Sequence, residues 1–249
     1  MKNLYSENFF KNIKEGSKSS ADIIFSIIKN YVDLRSIIDI GCGTGSWLAS
    51  AKNNFSMDCG SIVGIDGEYS KQFHKSSSGE FIYTDLNNPI KLERSARFDL
   101  AMSLEVAEHL SESRSSGFVK DLCRLSDIVL FSAAIPGQGG TGHINEQWPE
   151  YWQAEFDQNG YQMFDLIRPK VWRDERVGPW YAQNCFLFIE EHSYLARELR
   201  PHKLEKGDWR LKFIHPGIFK IAACESAGAS RVLRAIPASI SASLKNRMK

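Results

Sequence analysis

The sequence has little of what marks secreted, membrane-spanning or strongly charged proteins. No stretch approaches the 18 uninterrupted apolar residues of a transmembrane helix. Residues 1–7 lack the apolar run of a signal peptide. The formal net charge of +1 argues against steering of the whole molecule toward nucleic acids, so no DNA partner is expected. We therefore expect a cytoplasmic protein.

Cysteine is also scarce, and it is scattered along the chain. The absence of any C-x-x-C pair argues against a disulfide framework and against a structural zinc site. The five cysteines are Cys42, Cys59, Cys123, Cys185 and Cys224. Hydrophobic residues make up 43% of the 249 positions, which is enough for a real core. This length suits one α/β domain with additions.

One short stretch organises the rest of the chain. Residues 37–46 read Ile-Ile-Asp-Ile-Gly-Cys-Gly-Thr-Gly-Ser, which predicts a buried strand, a glycine turn and the start of a helix. Glycine lets a ligand lie against the main chain, and the free N–H groups of the helix would point at that ligand. A turn that serves only chain reversal is the alternative. Ser46 replaces the third glycine of a dinucleotide fingerprint, and no lysine completes a P-loop.

Two further apolar runs end close to an acid. Residues 61–66 end at Asp66, 21 residues after Gly45, which is near the spacing at which nucleotide-binding units place an acid on the ribose. A carboxylate suits this role because it accepts hydrogen bonds from both ribose hydroxyls side by side. Residues 81–83 lead to Asp85, which is also simply a good turn residue.

Strand-like and helix-like patterns alternate along the chain. Ser20 is expected to cap a first helix that carries apolar residues at helical spacing. This alternation predicts a mainly parallel sheet with helices on both faces. Later strands are expected at 98–104, 128–134, 162–167 and 184–189, with helices over 114–126 and from Pro149 to Gly160.

The spacing Gly41-x-Gly43-x-Gly45 resembles motif I of the class I S-adenosylmethionine-dependent methyltransferases. Residues 105–110, Glu-Val-Ala-Glu-His-Leu, resemble motif IV of the same family. The resemblance runs from about residue 20 to 191 and implies an α/β, Rossmann-like, doubly wound seven-stranded sheet, mostly parallel, in the order 3-2-1-4-5-7-6. It also implies three regions, which are an N-terminal helical segment at 1–34, a methyltransferase domain at 35–191 and a partly helical C-terminal extension at 192–249.

The same resemblance implies that S-adenosylmethionine is the cofactor and that it lies over the glycine turn. Asp66 would bind its ribose, Asp85 its adenine amino group, and Leu86 would pack on the adenine ring. In full, the implied cofactor contacts are Asp39, Gly41, Cys42, Gly43, Gly45, Asp66, Asp85, Leu86 and Leu104.

Methyl transfer to an alcohol also requires the loss of a proton, so a base or a metal is useful. His109 and His143 are expected at the carboxyl ends of strands, where open α/β sheets bind their ligands. The candidate catalytic residues are His143, His109 and Glu108. His143 ends the loop 135–143, whose four glycines would allow closure over an acceptor.

A metal site is a second interpretation of the same residues. If a helix begins at Glu105, then Glu105, Glu108 and His109 share one face. Joined by His143, this face resembles the Glu-x-x-Glu-His…His magnesium site of small-RNA 3′-end 2′-O-methyltransferases, and it could hold Mg²⁺ or Mn²⁺. Many family members carry Glu-His here without a metal, and a neutral imidazole would then act as the base.

The resemblance predicts an O-methyltransferase for a small-molecule hydroxyl. Residues 139–152 and 180–184 are similar to members of sugar and surface-polysaccharide pathways, so the expected acceptor is a sugar of a glycan or of its precursor. Two alternatives stay open, which are metal-assisted RNA 2′-O-methylation and a cofactor-binding partner subunit without activity. The near-zero net charge and the absence of a recognisable RNA-binding module weigh against RNA. The oligomeric state is left open.

Two other features have more than one interpretation. Trp148, Tyr151 and Trp152 could stack on a flat acceptor or pack in the core. Residues 226–249 contain no acid and five basic side chains. This tail could touch an anionic membrane surface or a protein partner, or it could be solvated or packed on its own domain.

Overall fold

The computed structural model describes residues 7–74, 79–92 and 97–226. In these ranges one sheet lies between two layers of helices. The seven strands are β1 Ile37–Ile40, β2 Ile62–Asp66, β3 Glu80–Tyr83, β4 Leu100–Leu104, β5 Ile128–Ser132, β6 Tyr161–Phe164 and β7 Phe186–Glu190. The α-helices are α1 Glu7–Ile28, α2 Ser46–Phe55, α3 Ser115–Leu125, α4 Pro149–Asp157, α5 Arg168–Val171, α6 Pro179–Asn184, α7 Tyr194–Glu198 and α8 Pro216–Ser226.

The strand order is β3-β2-β1-β4-β5-β7-β6, which confirms the expected topology. The first five strands of that list are parallel, and β7 runs antiparallel to both β5 and β6. Every residue of β1, β2 and β4 is buried, as expected for central parallel strands covered on both faces. The fold is therefore a doubly wound, mostly parallel α/β sheet.

The chain reverses its direction of winding between β1 and β4. From β1 it winds outward through β2 to β3, and it then returns to place β4 on the other side of β1. Open α/β sheets bind ligands at such a switch point, in the crevice beyond the carboxyl ends of the strands. The residues that follow β1, β2, β4 and β5 therefore meet at one edge of this sheet.

Two hydrophobic clusters cover the two faces of the sheet. On one face α1 packs against α2, where the rings of Phe25 and Trp47 meet edge to face at 5.5 Å. On the other face α3 and α4 pack on the sheet, and Phe156 of α4 stacks on Phe188 of β7 with ring centroids 3.8 Å apart. Leu211, in the segment after β7, also belongs to this second cluster, so that segment packs on the sheet.

Several expected boundaries are wrong: β4 begins at Leu100 instead of residue 98, β5 ends at Ser132 instead of residue 134, and α4 ends at Asp157 before Gly160. Three more concern the first helix and the last two strands. Ser20 does not cap a helix but lies inside α1, where its hydroxyl donates to the Gly16 carbonyl and accepts from the Gly178 amide. The sixth strand ends at Phe164 instead of residue 167, because the next amide, that of Asp165, donates to the His202 carbonyl. Asn184 ends α6 and does not begin the last strand.

Among the described residues, no helix is long and apolar enough to cross a membrane. The basic tail singled out in the sequence lies, from residue 227 onward, outside the described residues.

Candidate active site

The glycine turn after β1 has the conformation that its sequence requires. Gly41, Gly43 and Gly45 have φ angles of 84°, 54° and 74°, in the left-handed region that other residues rarely adopt. A Cβ at Gly41 would lie 2.3 Å from Cγ2 of Val106, whereas a Cβ at Gly43 would meet no atom within 4 Å. The turn therefore packs tightly against the loop after β4 at Gly41 and is open at Gly43, where a ligand has room.

Asp66 ties this turn to the end of β2. One carboxylate oxygen accepts from the Gly43 amide at 2.6 Å, and the other accepts from the Gly67 amide and the Tyr69 hydroxyl, both at 2.6 Å. The side chain is buried at the position where the resemblance expects ribose. Asp66 thus lies beside the open face of the turn, and three of its acceptor sites are engaged by the chain itself.

His74 fixes the same turn from the other side. Its Nε2 donates to the Gly43 carbonyl at 2.8 Å, and its ring stacks on Phe81 with centroids 3.9 Å apart. Burial lowers the pKa of His74, so the neutral ring accepts at Nδ1 from the Tyr83 hydroxyl. Sequence reasoning missed this residue, because no motif marks a histidine in the stretch between β2 and β3.

Of the other expected cofactor residues, Asp39, Cys42, Leu86 and Leu104 are buried and Asp85 is exposed. The pKa of Asp39 is raised by burial and then by the charge of Asp66. Hydrogen bonds from the amide and side chain of Asn87 lower the pKa of the Asp85 carboxyl. The role of Asp85 on adenine stays a prediction.

A cluster of titratable side chains follows β4 and β5 along the same edge. Glu108 and His109 lie in the 3-10 turn Ala107–His109, and His143 ends the glycine-rich loop after β5. Each of these three side chains has one nitrogen or oxygen atom that could bind a metal, and these atoms lie within 4.8 Å of one another. The centroids of the two imidazole rings are 4.9 Å apart. The three residues predicted to be catalytic are therefore brought together.

Glu108 has an unusual environment for a carboxyl group. It is 1% exposed, and neither carboxylate oxygen accepts a hydrogen bond from residues 7–74, 79–92 or 97–226. Burial raises its pKa well above the ordinary value, the charge of Glu105 adds to this, and the nearby backbone amides of Glu108 and Ala134 offset only part of it. A buried acid without partners is costly, so it points to a ligand that completes the site.

The two histidines are oriented by the contacts of their Nδ1 atoms. Nδ1 of His109 lies 3.2 Å from the Gly142 carbonyl, and Nδ1 of His143 lies 2.9 Å from a carboxylate oxygen of Glu146. The other oxygen of Glu146 accepts from the Gly137 amide at 2.7 Å. Both Nε2 atoms remain for a ligand. His109 is exposed, and its pKa is lowered first by partial desolvation of the ring and then by the neighbouring His143.

This arrangement fits a divalent cation. Histidines that bind metals usually hold their other nitrogen on a carbonyl or a carboxylate, as both do here. The unpartnered Glu108 supplies the hard oxygen ligand that Mg²⁺ or Mn²⁺ prefers. The possible ligand atoms lie within 4.8 Å of one another, so small movements would let all three contact one cation.

Glu105 does not belong to this group. No helix begins at Glu105, which has a φ of 55°, and the 3-10 turn starts two residues later, so the expected shared helical face is wrong. Its carboxylate accepts from the Gln138 side chain at 2.8 Å and from the Asn184 side chain at 3.2 Å. Burial raises the pKa of this carboxyl too. Its role as a metal ligand stays a prediction.

Sequence reasoning missed Gln138, Glu146 and Asn184 as parts of the site. Gln138 and Glu146 flank His143 in the chain, so proximity to the glycine-rich loop was a usable signal. Asn184 comes from α6, and only the tertiary fold brings it to Glu105.

The aromatic residues after the glycine-rich loop do not act as one group. Trp152 is 2% exposed and packs on Phe131 with centroids 5.1 Å apart, which confirms the core interpretation for this residue. Tyr151 is partly buried. Trp148 precedes α4, and the ammonium group of Lys212 lies 5.2 Å from its ring.

Comparison with known proteins gives the fold. No protein-family model matches the sequence, and neither does any curated protein. Among solved structures, DesVI of Streptomyces venezuelae is 11% identical with a TM-score of 0.54, over 75% of this chain and 99% of DesVI. The sugar N-methyltransferase KedS8 of Streptoalloteichus sp. ATCC 53650 is 14% identical with a TM-score of 0.54, over 76% and 97%. The methyltransferase domain of bacterial CtHen1-CN is 20% identical with a TM-score of 0.51, over 70% and 98%.

These likenesses and the strand order define the fold. The chain has the Rossmann-like α/β fold of the class I S-adenosylmethionine-dependent methyltransferases.

Proposed function

We propose that the protein is an S-adenosylmethionine-dependent O-methyltransferase that acts on a small-molecule hydroxyl, in a sugar of a surface polysaccharide or of its precursor. One observation carries the proposal. A left-handed glycine turn beside Asp66 and a cluster of bases at Glu108, His109 and His143 lie along one edge of the sheet, at its switch point.

The cofactor would lie over the open face of the turn at Gly43. There Asp66 would accept from the ribose hydroxyls, and Leu86 and Leu104 offer apolar contacts. S-adenosylmethionine supplies a methyl group that its positive sulfur has already activated. The chain then has to align the acceptor oxygen with that methyl group, and such orientation contributes on the order of 7–11 kcal/mol.

The cluster of bases favours oxygen as the acceptor atom. An amine is nucleophilic by itself, whereas a hydroxyl must lose its proton as the new C–O bond forms. His143, held by Glu146 at Nδ1, has Nε2 free to take that proton. A base of this kind is typical of alcohol chemistry, so we infer an O-methyltransferase although KedS8 is a sugar N-methyltransferase.

A metal-assisted reaction is the second candidate, and the unpartnered Glu108 favours it. In this version Glu108, His109 and His143 hold Mg²⁺ or Mn²⁺, which would lower the pKa of the acceptor hydroxyl. RNA 2′-O-methylation is the matching alternative reaction.

Calorimetric titration tests the cofactor. We expect S-adenosylmethionine and S-adenosylhomocysteine to bind with affinities in the micromolar range, whereas NAD does not. Comparable binding of NAD would exclude the assignment. Incubation with S-adenosylmethionine and panels of free sugars, nucleotide sugars and short RNAs, followed by mass spectrometry, then identifies the acceptor.

Metal dependence has its own test. If the metal version holds, Mn²⁺ added to chelator-treated protein raises the melting temperature, and Glu108→Gln abolishes that rise. Full activity in chelator would leave the neutral imidazole as the base.

A further inference from the structure

The C-terminal extension presents aromatic side chains to solvent. Trp209 and Phe219 are 65% and 66% exposed, and Phe213 and Ile214 are 48% and 44% exposed. The rings of Trp209 and Phe213 meet at 4.7 Å. We call these four residues the aromatic patch. All four lie within the short segment 209–219, and such a concentration of exposed large apolar side chains indicates an interaction site.

This exposure is built into the fold. Leu211 and Ile218, which lie between members of the patch along the chain, are 0% and 2% exposed and anchor the segment. The Gln183 side chain donates to the Phe213 carbonyl at 2.9 Å and accepts from the His215 amide at 2.6 Å. The backbone that carries the patch is therefore held against α6 while its aromatic side chains face outward.

Charge separates this region from the rest of the chain. Residues 192–249 carry twelve lysines and arginines against four aspartates and glutamates, whereas residues 1–191 carry nineteen against twenty-six. Seven of those twelve basic residues and all four acids belong to the described part of the extension, 192–226. The near-neutral net charge of the whole chain is therefore the sum of a basic C-terminal region and an acidic remainder. An anionic partner would be attracted to the extension and repelled elsewhere, which would orient it on the patch.

We propose that the aromatic patch docks the protein on a membrane surface that contains anionic phospholipids. Tryptophan and phenylalanine side chains insert at the boundary between headgroups and acyl chains, and basic residues add electrostatic attraction. The eleven residues of α8, Pro-Gly-Ile-Phe-Lys-Ile-Ala-Ala-Cys-Glu-Ser, are largely apolar, with one lysine and one glutamate, and this composition suits lipid better than the backbone of RNA.

The test is co-sedimentation of the full chain with vesicles. We expect binding to an equal mixture of phosphatidylglycerol and phosphatidylcholine, weaker binding to phosphatidylcholine alone, and a decrease at high salt. The double variant Trp209→Ser, Phe219→Ser should bind the vesicles at least about tenfold more weakly, with melting temperature and cofactor binding unchanged. Tyr194→Ser is the matched control, since Tyr194 is 70% exposed but lies outside the patch.

Each other outcome overturns the proposal. No binding of the wild type at low salt excludes the lipid surface, and equal binding of the double variant excludes the patch. Self-association that the double variant loses would assign the patch to a second copy of the chain. Binding of a single-stranded RNA that the double variant alone loses, without vesicle binding, would assign it to RNA. None of these results depends on whether methyl transfer is observed.

Discussion

The two halves of the carboxyl edge differ in how completely the chain satisfies its own polar groups. Around the glycine turn, Asp66 accepts three hydrogen bonds from the chain. Around the loops after β4 and β5, Glu108 accepts none from the part of the chain that the structure describes, although it is almost fully buried. Both groups are carboxylates, and they lie at the ends of strands in one sheet.

This difference indicates two ways of preparing a site. The side expected to bind the cofactor is assembled in advance, because Asp66 and His74 hold the turn in its left-handed conformation. On the side expected to bind the acceptor, burial of the unpartnered Glu108 is unfavourable until a ligand binds. We also expect the four glycines of loop 135–143 to permit closure over the acceptor. Substitutions in the two halves should therefore affect different measurements.

The largest expected effect is on turnover. His143→Ala should lower kcat by about 10²–10⁴-fold, because the acceptor hydroxyl loses its base, while calorimetry shows nearly unchanged cofactor affinity. His192→Ala is the control, since His192 is an exposed histidine that contacts only Glu191 among described ion pairs. Full activity of His143→Ala in the presence of chelator would make this histidine a structural loop residue.

The second effect concerns the cofactor half. Asp66→Ala should weaken binding of S-adenosylmethionine by about 1–3 kcal/mol, because the ribose hydroxyls lose a charged acceptor and the turn loses its tie at Gly43. Calorimetric titration measures the loss. Asp58→Ala, at an exposed aspartate before β2, should bind as the wild type does. Unchanged affinity of Asp66→Ala would place the ribose elsewhere.

The cofactor half was more predictable than the acceptor half for a physical reason. Gly41, Gly43 and Gly45 act through their backbone conformation, which sequence spacing specifies directly. The strand order was also predictable, but only through the resemblance to a family. Glu105 shows the limit, because its left-handed φ breaks the helix that the spacing of Glu105, Glu108 and His109 suggested. Its contacts to Gln138 and Asn184 join distant segments that no local pattern connects.

The third prediction concerns Asp39, whose burial in the half expected to bind the cofactor should lower the free energy of unfolding at neutral pH. Burial and then Asp66 raise the pKa of Asp39 well above its ordinary 3.8, so the folded state binds this proton more tightly than the unfolded chain. Stability should then fall as pH rises from the unfolded to the folded pKa. Asp39→Asn cannot ionise, and it should be more stable than the wild type at neutral pH by about 1–3 kcal/mol.

Urea unfolding at several pH values measures this difference. The advantage of Asp39→Asn should shrink toward zero only as the pH falls below the unfolded pKa of 3.8, where Asp39 is protonated in both the folded and the unfolded state. An advantage that stays constant with pH would reflect packing rather than charge. A less stable variant at neutral pH would show that the ionised Asp39 is stabilised by contacts of the turn.

The smallest effect concerns Tyr69, whose hydroxyl donates to the same Asp66 oxygen that also accepts from the Gly67 amide. Ribose hydroxyls would have to share or displace this hydrogen bond. Tyr69→Phe removes the competing donor and keeps the ring, so calorimetry should show cofactor binding about two- to fivefold tighter. A hydrogen bond to a charged group contributes about 1.5 kcal/mol or more, and only part of this is lost when a ribose hydroxyl replaces the tyrosine hydroxyl. Tyr194→Phe is the control, because its hydroxyl also donates to a carboxylate, that of Glu198, but lies in α7 outside the glycine turn. Weaker binding of Tyr69→Phe would mean that the hydroxyl contacts the cofactor directly, and the cofactor half would then be completed by its ligand as the acceptor half is.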